Sequence, residues 1–128
     1  MNFLYIATST LNFNNIFSTE SISPACFYNA RKFGNKRYEK IPQNPYEKQI
    51  IIYDKYPIFE IQDESRDNYP MVFRINKAIL NNELILISNY KNINIFSYIS
   101  TIYLNPSFVE VYFPSEKILN ITISKSEP

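Results

Sequence analysis

The 128-residue chain has a mass of 15.2 kDa, is 45% hydrophobic and 20% charged, and sets 13 basic against 12 acidic side chains. That length suits one folded domain over residues 1–128 with a core of its own, and a mean hydropathy of −0.25 fits neither a membrane protein nor a disordered tail. With no His, one Cys (Cys26) and one Gly (Gly34), the sequence lacks the parts of a Ser-His-Asp triad, a Cys-His pair, a His-ligated zinc, an internal disulfide, a P-loop or a Gly-rich dinucleotide fingerprint.

Chemistry, if any, falls to carboxylates, Arg, Lys, Tyr, Asn and hydroxyls. A net charge of +1 gives no electrostatic case for strong nucleic-acid binding; the cluster Arg31, Lys32, Lys36, Arg37 and Lys40 is the local exception. The opening MNFLYIATST has neither a basic start nor a long apolar stretch, so it reads as neither signal peptide nor anchor. The expectation is a cytoplasmic protein with no membrane partner.

In chain order, Asn2–Thr8 is a β-rich apolar run that predicts a buried first strand. Phe13, Ile16 and Phe17 then recur at helical spacing, predicting a short helix over about 12–18 capped by Thr10 or Asn12. Ser23–Gly34 predicts a second helix. Ser23 suits the cap, Pro24 the first position and Gly34 the left-handed residue beyond the end, while Arg31 and Lys32 lie where the helix dipole favours cations.

After a loop containing Pro42 and Pro45, the chain turns β-like. Predicted strands cover Gln49–Asp54, Ile58–Ile61, Met71–Asn76, Leu84–Ser88, Ile95–Tyr103, Phe108–Phe113 and Leu119–Ser124, with one helical turn around Lys77–Asn81. Tyr56-Pro57 and Tyr69-Pro70 each open a short strand, where proline costs no central ladder bond. The fold class is therefore α+β: two short N-terminal helices packed on a mainly antiparallel sheet. KSEP follows directly on the last predicted strand, so the expectation is that residues 1–128 form the N-terminal part of a longer protein.

Two stretches stand out, Leu4–Pro24 and Phe108–Ser124. Glu110 interrupts a strand of β-branched and aromatic residues, and alternation sets Phe108, Glu110 and Tyr112 on one face against Val109, Val111 and Phe113 on the other. Such a carboxylate is either a solvent-facing edge charge that guards against aggregation or a group lining a cleft, where desolvation raises its pKa. The Tyr and Phe residues read mainly as core and cross-strand pairs, with stacking platforms for single-stranded nucleic acid as the alternative. The acidic turn Asp63, Glu64 and Asp67 lacks the length and glycine of a calcium loop, so no metal is expected.

Taken together, Tyr5, Thr8, Asn12, Phe13, Ile16, Phe17 and Ile22, followed near the other end by Val109, Glu110, Val111, Tyr112, Phe113, Pro114, Ile118 and Ile121, resemble in type and spacing the two end motifs of the DarT-like ADP-ribosyltransferases. The resemblance covers about a third of the chain. It implies a split-sheet fold with NAD in a cleft, used to modify nucleic acid, DNA above all, or protein within a bacterial defence or toxin–antitoxin system. It further implies that Glu110 is catalytic, holding the nicotinamide-ribose hydroxyl. Tyr5, Thr8 and Asn12 would lie at the cofactor, and Arg31 or Arg37 would meet its pyrophosphate through a bidentate fork.

The sequence departs from the family pattern in two places. Ile6 stands where the family has a His, which forgoes a hydrogen bond worth about 1–3 kcal/mol. Thr19-Glu20-Ser21 replaces the glycine turn, and the chain is short for the family. A second reading therefore stands beside the first: a non-catalytic recognition or interaction domain that binds protein or nucleic acid, either a relative that has lost its NAD chemistry or an unrelated inhibitor module of phage type.

Overall fold

Alternation along the first apolar run decides the architecture. In β1 (Phe3–Ser9), Leu4, Ile6 and Thr8 are all buried on one face, while Tyr5 packs with a second cluster on the opposite face. A strand with apolar contacts on both sides belongs in the interior of a sheet. The computed structural model describes residues 2–23, 49–57, 70–105, 109–113 and 120, and in it β1 lies inside a six-stranded sheet.

The other strands of that sheet are β3 (Ile50–Tyr53), β4 (Pro70–Asn76), β5 (Ile85–Tyr90), β6 (Ile93–Tyr98) and β8 (Val109–Tyr112). Their order is β5-β6-β3-β1-β4-β8, and every pairing is antiparallel. β1 pairs with β4 along its whole length, from Phe3 opposite Asn76 to Ser9 opposite Pro70. Pro70 therefore opens a strand, the position its missing N–H allows. β3 is buried at all four residues, which explains its unbroken apolar reading.

The helix α1 (Phe13–Thr19) covers one face of this sheet. Its Ile16 is fully buried in the main core with Leu4, Ile6, Ile52, Met71, Phe73 and Ile75. Phe17 lies 6.1 Å from the Phe73 ring and Phe13 lies 6.3 Å from Phe113. A ribbon of β2 (Ser21–Ile22) and β7 (Ile102–Tyr103) adds Ile22 and Ile102 to the same core. The opposite face carries the smaller cluster of Ile51, Tyr53, Ile93 and Ile95.

The structure is thus a mainly antiparallel sheet with a helix on one side, of α+β class. The helix predicted over Ser23–Gly34, the loop with Pro42 and Pro45, the strand Ile58–Ile61 and the acidic turn Asp63–Asp67 lie outside the described residues, Ser23 excepted.

Several expectations need correction. The first helix begins one residue later than predicted, after a 3-10 turn over Thr10–Asn12. Asn12 holds the cap position without capping: its side-chain amide donates to Thr8 Oγ1 at 3.1 Å instead. Ile95–Tyr103 is not one strand but β6 and β7. The chain leaves the main sheet at Ile99 to pair β7 with β2, and Ser100 in the break accepts a 2.5 Å hydrogen bond from the Asn82 side chain. Leu84–Ser88 extends to Tyr90 and turns through Lys91 and Asn92, whose φ values of 50° and 66° give the double-positive geometry of a type I′ hairpin. Of Leu119–Ser124, Asn120 is described and is helical; the other five residues lie outside the described residues.

Candidate functional site

The site follows from register. Tyr5 on β1 lies directly opposite Arg74 on β4, and Arg74 lies directly opposite Glu110 on β8. Tyr53 on β3 continues the row on the other side of Tyr5. Cross-strand neighbours point to the same face, so Tyr53, Tyr5, Arg74 and Glu110 form one line across four strands, on the face opposite α1.

Glu110 is the hub. Arg74 Nη2 donates to its Oε1 at 2.7 Å, and the Tyr112 hydroxyl donates to its Oε2 at 2.5 Å. The Tyr112 hydrogen bond first, and the Arg74 hydrogen bond next, hold the Glu110 carboxyl below its ordinary value. The same bond to Glu110 raises the Tyr112 phenol and, on the other side, Arg74. Of the two sequence readings of this carboxylate, the one with a desolvated, raised pKa is corrected. The Glu110 side chain is 55% exposed, and its hydrogen bonds outweigh its desolvation.

Aromatic rings frame the pair. The Arg74 guanidinium carbon lies 4.2 Å from the Phe3 ring centre, a cation–π distance. Tyr56, just after β3, meets Tyr5 edge-on at 5.9 Å and Tyr112 edge-on at 6.2 Å. Its hydroxyl is raised by partial burial. Arg74 Nε is buried with no hydrogen-bond partner among the described residues, so its fork is only partly used. The result is a ring of aromatic surface around one fixed carboxylate and one fixed guanidinium.

The chain matches no family model, no curated protein and no solved structure.

The residues singled out from sequence fall into three places. Tyr5 and Glu110 are brought to one face, 105 positions apart in the chain and bridged by Arg74. Thr8 and Asn12 lie on the other face: both are fully buried, bonded to one another beside α1. Arg31 and Arg37 lie outside the described residues. Ile6 is buried in the core beneath α1.

Arg74 is the residue that sequence reading missed, and a signal for it was present. A lone cation in the apolar run PMVFRIN and a lone anion in FVEVYF are what a cross-strand ion pair looks like before its partner is known. Among the described residues no group of three His, Cys, Asp or Glu could hold a metal ion. No helix among them is long and apolar enough to cross a membrane.

Proposed function

We propose that the face bearing Tyr5, Arg74, Glu110 and Tyr112 is the ligand-binding surface of an ADP-ribosyltransferase-like domain, one that recognises an NAD-type nucleotide within a bacterial defence or toxin system. The observation that carries this reading is the shared cross-strand row of Tyr5 and Glu110 around Arg74. Aromatic rings suit the faces of a base or nicotinamide. The permanently charged, partly exposed Arg74 guanidinium suits an anionic oxygen, and the ionised Glu110 suits a ribose hydroxyl.

In the transferase form of this reading, Glu110 orients that hydroxyl and stabilises the positive charge on the ribose as nicotinamide leaves. A specific observation favours the second form, recognition without turnover. Both carboxylate oxygens of Glu110 are already committed, and Arg74 neutralises its charge at 2.7 Å. Thr8 and Asn12, expected at the cofactor, are bonded to each other in the core on the opposite face.

ADP-ribose transfer to DNA and to protein, measured with wild type and Glu110→Gln, separates the two forms. Turnover that Glu110→Gln abolishes supports the transferase form. NAD binding without turnover, weakened by Arg74→Ala, supports recognition. Absence of both leaves a protein partner as the object of recognition and refutes the nucleotide reading.

A further inference from the structure

Natural sheets guard their edges with charges, prolines, bulges or cover, because an edge strand presents unpaired backbone groups to any other strand. The two edges of this sheet differ in that respect. β8 carries the charged Glu110. β5 reads Ile-Leu-Ile-Ser-Asn-Tyr, with neither charge nor proline, and pairs only with β6 among the described residues. Ile85 is 50% exposed and the adjacent Leu86 is 60% exposed, so apolar surface stands open on both sides of this edge. The guard on β5 is a bulge between Leu86 and Ser88, which bends the strand but leaves Ile85 and Leu86 exposed.

The charges that bracket the strand decide what fits there. Glu83 precedes it, Lys91 follows it, and no other charged residue lies between positions 83 and 91. A second copy running parallel would set Glu83 beside Glu83 and Lys91 beside Lys91. A second copy running antiparallel, centred on Ile87, brings Glu83 of each copy to Lys91 of the other. That arrangement has two-fold symmetry, opposes unlike charges at both ends and sets Leu86 of each copy opposite Ser88 of the other, diagonal to the other Leu86.

We infer that the β5 edge is a self-association site, where two copies of this chain join antiparallel and extend their six-stranded sheets into one. A single strand edge is a small contact, so the dimer forms reversibly with rising concentration.

Sedimentation velocity of the whole chain from micromolar to millimolar concentration tests the inference. The expected result is a reversible monomer–dimer equilibrium that Leu86→Lys abolishes. Glu83→Lys and Lys91→Glu each turn two attractions into two repulsions and weaken the dimer about tenfold. An equimolar mixture of those two variants restores wild-type affinity, because every contact across the mixed pair again joins opposite charges. The charge variants alter exposed positions and keep the wild-type circular dichroism, so they decide the matter even where Leu86→Lys disturbs folding. A chain that stays monomeric throughout overturns the inference. So does a dimer indifferent to single charge reversal, or a mixture no tighter than either variant alone.

Discussion

Replacing Thr8 by Val tests the placement of Thr8 and Asn12 in the core. Both side chains are fully buried, and the Asn12 amide nitrogen donates to Thr8 Oγ1 at 3.1 Å. Valine keeps the shape of threonine and removes the acceptor, leaving a buried N–H donor without that partner, at a cost of about 1–3 kcal/mol. Asn12→Leu removes the donor and also the Asn12 Oδ1, which is buried with no hydrogen-bond partner among the described residues. The double variant should therefore lose less than the sum of the single losses, with a coupling of about 1 kcal/mol. Urea unfolding followed by circular dichroism reads this directly. With a slope of about 1.5 kcal/mol/M, Thr8→Val should lower the midpoint by roughly 1 M with its slope unchanged. An unmoved midpoint, or strict additivity in the double variant, refutes the buried-pair account. If the pair is structural, NAD binding measured well below the melting temperature is unaffected by Thr8→Val.

Three further outcomes follow from named contacts. The buried Tyr98 hydroxyl accepts hydrogen bonds from the backbone amides of Asn81 and Asn82 at 3.0 and 3.2 Å, so Tyr98→Phe should cost about 1–2 kcal/mol in the same assay. Asn92 holds a φ of 66° in the hairpin turn, so Asn92→Gly should raise the melting temperature, by an amount equivalent to about 0.5 kcal/mol, and Asn92→Val should lower it. Glu110 has a folded pKa held below its ordinary 4.5, so its pairing stabilises the fold above that range and is lost as pH falls through the folded value. Unfolding measured between neutral and strongly acid pH should show wild type losing its advantage over Glu110→Gln in that acid window, and an unchanged gap would contradict the pairing.

Much of the sheet was legible because its face-to-face alternation is local. Leu4, Ile6 and Thr8 against Tyr5, and Val109, Val111 and Phe113 against Glu110 and Tyr112, can be sorted by period two alone. Strand pairing was not legible, since register depends on contacts far apart in sequence. That is why Arg74 escaped notice although Glu110 did not. The break at Ile99–Thr101 was hidden for a related reason: the run stays β-like on both sides, and only the pairing of β7 with β2 shows that it changes sheets. The hairpin at Lys91 and Asn92 carries no glycine, so its positive φ values lacked their usual sequence marker. Asn12 looked like a cap because asparagine favours that position, but a fully buried amide takes the partner nearest to it, the Thr8 hydroxyl.

The most direct test of the central claim is calorimetric titration of NAD into wild type and Arg74→Ala, with Arg31→Ala and Arg37→Ala beside them. If the Tyr5–Arg74–Glu110 row is the ligand surface, wild type binds in the micromolar range and Arg74→Ala weakens binding about tenfold or more, as expected for losing a charged hydrogen-bond donor to the ligand. No heat at millimolar NAD, or binding that Arg74→Ala leaves intact, contradicts the claim.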